Sequence, residues 1–93
     1  MPAAWEHVGA YRYLVVRWES SDGDSDSRDI TQVSIDDMQH EVANCERVVA
    51  AAVKQHIISE GIPNVLAGHL EWWSLKLEAY QAGLELKLNG EPK

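Results

Sequence analysis

The sequence predicts an α+β domain in which one long amphipathic helix covers a small, mainly antiparallel sheet. One long segment repeats its apolar residues with the period of a helix, and shorter segments alternate with the period of a strand. The predicted order is β-β-α-α-β, with β-β-α-β-β as the alternative. A chain of 93 residues is large enough for one hydrophobic core, so we expect residues 1–93 to form a single small acidic domain.

The first predicted strand runs from Val8 to Glu19 and is apolar on both faces. Its two faces carry, respectively, Leu14, Val16 and Trp18, and Tyr11, Tyr13 and Val15. A strand of this kind is usually covered on both sides. In so small a chain we expect a second subunit to supply the outer cover.

An acidic loop is predicted at residues 20–28, which contain no apolar side chain and are rich in turn-forming Ser, Asp and Gly. We expect this loop to be solvated and mobile. Ile30 to Val33 is predicted to be a short second strand, which closes a hairpin with a long loop.

The long helix is predicted from Ser34 to Gly61. Ser34 suits the N-cap, Asp37 three positions later resembles a capping box, and Gly61 followed by Pro63 ends the helix. The apolar stripe of this helix contains Ile35, Met38, Val42, Cys45, Val49, Ala52, Val53, His56 and Ile57.

Residues 64–82 fit either a helix or a strand, and the scarcity of β-branched residues favours the helix. Gly83 is expected to stop it. Leu84 to Leu88 alternates strictly between apolar and charged residues, so this segment is predicted to be the last strand.

The formal net charge of −7 is concentrated in one part of the chain. Residues 19–41 hold eight acids and one base, whereas the other residues hold seven of each. This balance argues against direct binding of nucleic acid or an anionic membrane, which needs clustered Lys and Arg. No apolar run approaches the roughly 18 residues that span a bilayer. The single cysteine and the lack of a secretion signal favour the cytoplasm.

Two sets of candidate binding residues follow from these patterns. The predicted partner-binding residues are Asp22, Asp24, Asp26, Asp29 and Trp72. The predicted oligomer interface contains Tyr11, Tyr13, Val15 and His56. Trp72 is adjacent to Trp73, so only one of the two can face the core. Trp72 is therefore left for packing at the edge of the stripe, a protein interface or stacking on a ligand.

No catalytic, metal-binding or cofactor-binding pattern is present in the sequence. Asp22, Asp24 and Asp26 match the first three carboxylates of an EF-hand loop, but Ser27 replaces the required Gly and Val33 the bidentate Glu. Asp36 and His40 are spaced as two ligands of a metal on one helix face, without a recognisable third. We therefore expect neither a metal nor a cofactor.

The favoured function is that of a non-enzymatic acidic binding protein, an inhibitor or regulator that contacts a basic surface of a macromolecular partner. One alternative is a homo-oligomeric module that binds a small molecule through exposed Trp and Tyr together with Arg12 and Arg17. A second alternative is an enzyme subunit. Surplus apolar surface also predicts a homodimer or a higher oligomer.

Overall fold

The computed structural model describes residues 2–58 and 65–90, with side chains described at 2–54 and 70–90. Its elements are β1 (Ala3–Val8), β2 (Tyr11–Glu19), β3 (Ser25–Asp29), α1 (Ile35–Ile58) and α2 (Val65–Asn89). The α+β class and the antiparallel sheet are confirmed. The order is β-β-β-α-α, so both predicted orders are wrong.

The sheet has the order β1-β2-β3, and both pairs of strands are antiparallel. Gly9, with a φ of 61°, opens the turn between β1 and β2. Val8 therefore belongs to β1, and the predicted strand from Val8 to Glu19 begins only at Tyr11. Strand β1 was not predicted, because charged and small residues break its alternation (Ala-Ala-Trp-Glu-His-Val).

The second predicted strand is displaced along the chain. Ser25–Asp29 is a strand rather than part of the predicted loop, whereas residues 31–33 form a turn in which Val33 N donates to Ile30 O at 3.1 Å. The polar composition of β3 hid it. Backbone hydrogen bonds to β2, not apolar side chains, hold these residues in the sheet.

The prediction of α1 is confirmed at its start. Ser34 Oγ accepts from the backbone N–H of Asp37 at 3.0 Å, as an N-cap should. Met38, Val42, Cys45 and Ala52 are buried as predicted, but Ile35 and Val53 are 41% and 40% exposed. Gly61 and Pro63, the predicted end of the helix, lie outside the described residues.

Helix α2 continues through the segment that the sequence analysis divided. The predicted strand at Leu84 to Leu88 is wrong, because these residues lie in the last turns of α2. Gly83 does not stop the helix. Instead it lies within α2, where it is buried against Val16 and Ile30. In the described part of the chain, no helix has both the length and the apolar character needed to cross a membrane.

Both helices lie on one side of the sheet, where α2 packs against the strands and α1 packs against α2. The prediction that the long helix beginning after Ser34 is the one that covers the sheet is therefore wrong. Helix α2 contacts β1, β2 and α1. Because α2 is packed on more than one side, it carries apolar residues on more than one side. Its sequence therefore lacks the single apolar stripe by which amphipathic helices are predicted. The core beneath the helices contains Leu14, Val16, Trp18, Ile30, Met38, Cys45, Ala79 and Tyr80.

The opposite face of the sheet is the outer face, and no described element covers it. Side chains alternate along each strand. Since Leu14, Val16 and Trp18 face the helices, Tyr11, Tyr13, Val15 and Arg17 lie on the outer face. The interface with a second subunit that the sequence predicts for Tyr11, Tyr13 and Val15 stays a prediction.

Candidate functional site

The turn between β2 and β3 is held by a set of local hydrogen bonds. Ser20 N donates to Asp24 O at 2.7 Å, and Gly23 N donates to Ser20 O at 3.0 Å. Ser21 ties the turn to α2, because its backbone N–H and hydroxyl donate to the Glu71 carboxylate at 2.5 and 2.9 Å. The turn therefore has defined contacts with the body of the protein.

Four carboxylates follow this turn and β3, and we call them the acidic edge: Asp22, Asp24, Asp26 and Asp29. All four are exposed. None lies within 4 Å of a cationic group belonging to the described residues. Two of the predicted partner-binding aspartates, Asp22 and Asp24, thus lie in the turn, whereas Asp26 and Asp29 lie in β3 on opposite faces of the sheet.

Hydrogen bonds favour the charged form of two members of the acidic edge. The Ser20 hydroxyl, and then the backbone N–H of Asp24, lower the pKa of Asp22 below its ordinary value. The Thr31 hydroxyl and backbone N–H, at 2.5 and 2.9 Å, lower the pKa of Asp29, with a smaller contribution from the charge of Lys87. Both side chains are therefore carboxylates at neutral pH.

Arg28 is the single Lys or Arg among residues 19–41, and its side chain is engaged by residues of the two helices. It lies on the helix-facing side of β3, where Nη1 donates to Tyr80 Oη at 3.1 Å and lies 3.4 Å from Glu41 Oε1. These contacts raise the pKa of Arg28, the bond to Tyr80 contributing most. The positive charge nearest in sequence to the acidic edge is thus directed to the helices.

Trp72 and Trp73 both pack against the core and are partly buried. The ring of Trp72 meets that of Trp18 edge to face, with centroids 5.7 Å apart. This contact favours packing within the domain among the alternatives for Trp72. In the described structure, Trp72 makes no contact with the carboxylates of the acidic edge.

Lys76 completes an aromatic cluster that the sequence analysis missed. Its Nζ lies 4.5 Å from the ring centroid of Trp73, 5.5 Å from Tyr80 and 5.7 Å from Trp18, distances at which a cation is attracted to the ring face. The spacing of Trp73, Lys76 and Tyr80 indicates that they share one side of a helix. Only the fold shows that Trp18 of β2 joins them. Among the described residues, the buried indole Nε1 groups of Trp5 and Trp18 have no hydrogen-bond partner.

The outer face carries three of the four residues predicted for an oligomer interface. Tyr13 and Val15 are half-buried, whereas Tyr11 at the hairpin end is 71% exposed. His56 lies outside the residues whose side chains the structure describes. Beside this apolar group, the Arg17 guanidinium donates both arms of its fork to Glu6 at 2.6 and 2.7 Å.

The arginines Arg12 and Arg17 do not form a joint anion site. The alternation of β2 places them on opposite faces of the sheet. Arg17 is already engaged by the Glu6 carboxylate, which raises the pKa of Arg17 mainly through their hydrogen bonds. The structure therefore gives no support to a single clamp built from these two side chains.

A cluster at the start of α1 brings Asp37 beside the predicted pair of Asp36 and His40. One potential ligand atom from each residue lies within 4.8 Å of the others, and all three residues are exposed. However, His40 Nδ1 lies 2.9 Å from Asp36 O, a distance that suits donation to the carbonyl. The positive end of the helix dipole also disfavours a cation there. These contacts fit a helix terminus that attracts acidic side chains.

An open depression of about 550 Å³ adjoins the acidic edge at the end of the β2–β3 pair. It is lined by Arg17, Trp18, Glu19, Ser25, Asp26 and Ser27. Ser25 and Ser27 were not among the predicted site residues, because a segment of turn-forming residues without an apolar side chain shows no strand pattern.

Comparison with known proteins gives no relative: no family model, curated protein or solved structure matches this chain. The arrangement of its own residues is therefore the basis for a functional proposal.

Proposed function

We propose that this protein is a non-enzymatic binding protein whose acidic edge contacts a basic surface of a macromolecular partner, as an inhibitor or regulator does. The supporting observation is the arrangement of charge along β3. Four exposed aspartates lie in the β2–β3 turn and in β3 without a cation within 4 Å among the described residues, while Arg28 contacts Tyr80 and Glu41.

Concentrated charge of this kind acts before contact is made. A local negative potential steers a basic partner and raises the rate of encounter, and salt weakens the effect. The hydrogen bonds of the turn, including Ser21 to Glu71, reduce the ordering that docking requires. Asp22 and Asp29 retain their charge to lower pH than ordinary aspartates, because their folded pKa values are lowered.

The test compares two variants that each lose four negative charges. In the first, the four aspartates of the acidic edge are replaced by Asn. In the control, exposed acids elsewhere are neutralised by Asp36→Asn, Glu46→Gln, Glu78→Gln and Glu85→Gln. Each variant and the native protein serve as bait for partners from the source organism, and association with the recovered partner is timed at two salt concentrations.

We expect the acidic-edge variant to associate about tenfold or more slowly at low ionic strength, and the control to remain near the native rate. The difference should shrink at high salt, because charges more than about 10 Å apart are largely screened at 0.1 M. Equal slowing of both variants would mean that only net charge matters. That result would reject the acidic edge as the docking surface.

A further inference from the structure

Two hydrogen bonds that flank β3 show which of its backbone groups point away from β2. Ser20 N donates to Asp24 O at 2.7 Å, and Ile30 N donates to Leu14 O at 2.9 Å. In an antiparallel pair, opposed residues alternate between bonded and non-bonded pairs. Even-numbered residues of β3 therefore bond to β2, and the odd-numbered ones point their N–H and C=O groups away from it.

Three residues thus present backbone groups at the free side of β3: Ser25, Ser27 and Asp29. Within the described chain, β3 has β2 as its one neighbouring strand. Of these outward groups, the N–H of Ser27 is engaged, by the carboxylate of Asp26 at 2.8 Å. The others make no hydrogen bond to a described residue. The border is an unpaired strand edge, which is a template for another strand.

We propose that this edge takes up an extended, Lys- or Arg-bearing segment of the basic partner as a fourth strand. The inference rests on the proposed function and adds how the partner is held: backbone hydrogen bonds to Ser25, Ser27 and Asp29 supply affinity, and side-chain charge supplies selectivity.

Charge at the edge decides which strands fit. Side chains directly opposed on neighbouring strands lie about 4.5–5.5 Å apart, where opposite charges stabilise pairing and like charges oppose it. Asp26 and Asp29 therefore disfavour neutral or acidic strands, as charged edge residues commonly do, and favour a basic one. A basic side chain facing Asp26 also draws its carboxylate away from Ser27 N, which frees that donor for the incoming carbonyl.

A second copy of this chain is the poorer occupant. Each copy would bring the same acidic edge, with four aspartates against the single Arg28, whose guanidinium already contacts Tyr80 and Glu41. Pairing two such edges places like charges together, whereas a basic strand neutralises them.

The probe is a ten-residue peptide of Lys and Thr that carries Lys on both faces of the extended strand, because Asp26 and Asp29 lie on opposite faces of the sheet. Its control is the same peptide methylated on alternate backbone nitrogens, which keeps the charge but removes the hydrogen bonds of one edge. Amide exchange of the full-length protein is followed by NMR. We expect the amides of Ser25, Ser27 and Asp29 to exchange at least about tenfold more slowly with the peptide, while those of Asp26 and Arg28, already bonded to β2, change little.

Ser27→Pro supplies a variant that changes the edge without changing its charge. The N–H of Ser27 does not bond to β2, so proline is compatible with this edge position, and circular dichroism with thermal unfolding checks the fold. We expect Ser27→Pro to weaken peptide binding about tenfold or more. Ser27→Ala, and His7→Pro on the opposite edge of the sheet, should change it less than about twofold.

Several results would overturn the inference. Strand addition would be rejected if the peptide bound in a salt-sensitive way that required the aspartates, yet bound Ser27→Pro as well as the native protein and did not slow exchange at the amides of Ser25, Ser27 and Asp29. That result would leave the proposed function standing. No binding of the unmethylated peptide at millimolar concentration would reject strand addition as well, and the bait experiment would judge the proposed function separately. Concentration-dependent protection of the same amides in the protein alone would identify a second copy as the occupant.

Discussion

Gly83 on α2 lies against Val16 on β2 so closely that no side chain fits between them. A Cβ atom at Gly83 would be 2.6 Å from Val16 Cγ1 and 2.7 Å from Ile30 Cδ1. Both neighbours are fully buried, so neither can move into solvent. This contact sets how near α2 comes to the sheet.

Gly83→Ala is therefore expected to destabilise the protein, although the same change in an exposed helix would stabilise it by about 1 kcal/mol. Overpacking of a buried site typically costs about 1–3 kcal/mol, and we expect the free energy of unfolding to fall by that amount. Urea denaturation measures it. In a Val16→Ala background, Gly83→Ala should lower the free energy of unfolding by less, because the Val16 Cγ1 atom that the new methyl group would meet is absent. An increase in stability in the native background would contradict the packing described here.

The Thr31 hydroxyl is expected to control the titration of Asp29. Thr31→Val removes the larger cause of the lowered pKa, so the Asp29 pKa should rise towards its ordinary value, whereas Thr31→Ser should preserve it. NMR titration of the carboxyl carbon measures both. An unchanged Asp29 pKa in Thr31→Val would contradict the assignment.

This shift has a defined consequence for stability. A carboxyl whose pKa is lowered by folding stabilises the fold above its unfolded pKa, about 3.9 for Asp. It loses that contribution as the pH falls through the lowered folded value. The pH-dependent part of the loss in unfolding free energy caused by Thr31→Val should therefore be fully present above the unfolded pKa of Asp and absent below the lowered folded pKa of Asp29. A pH-independent part remains, because Thr31 Oγ1 also accepts from Leu14 N at 2.8 Å.

Cys45 is expected to be unreactive in the folded protein. Its side chain is 1% exposed, and burial raises the pKa of the thiol, against a smaller opposing effect of Lys76. Because the thiolate is the reactive form, a disulfide reagent should modify native Cys45 at least ~100-fold more slowly than the unfolded chain. Ala43→Cys in a Cys45→Ala background places a thiol at an exposed site of the same helix as a control. Equal rates for the two thiols would contradict the burial.

The oligomer predicted from the sequence remains a prediction, and the outer face is where it can be tested. Light scattering after size exclusion should give a mass of at least twice 10.4 kDa for the native protein. Tyr13→Lys, on the outer face, should reduce it to the monomer, and Gln39→Lys, an exposed site on α1 with the same charge change, should not. A native monomer at micromolar concentration would reject the prediction.

The helix α1 could be predicted from the sequence, whereas the strand β3 could not. The start of α1 is encoded locally, because the Ser34 cap and the apolar period act within a few residues. For β3, Ser25–Asp29 gains its structure from backbone bonds to Trp18 and Val16 on another strand. Turn-forming side chains indicate nothing about such pairing, so Ser25 to Arg28 were placed in a loop although they belong to a strand. The role of the aspartates as a partner-binding site stays a prediction.

Local sequence by itself determined the α+β class, the helix that begins after Ser34 and the concentration of acidic residues between 19 and 41. Tertiary structure alone decided that Gly83 continues a helix, that Arg28 contacts Tyr80 and Glu41, and that Asp26 and Asp29 belong to a strand at the edge of the sheet. The physical reason is the range of the interactions. Caps and charge density act between near neighbours in the chain, whereas the contact of Gly83 with Val16 and the bond from Arg28 to Tyr80 join residues that only folding brings together.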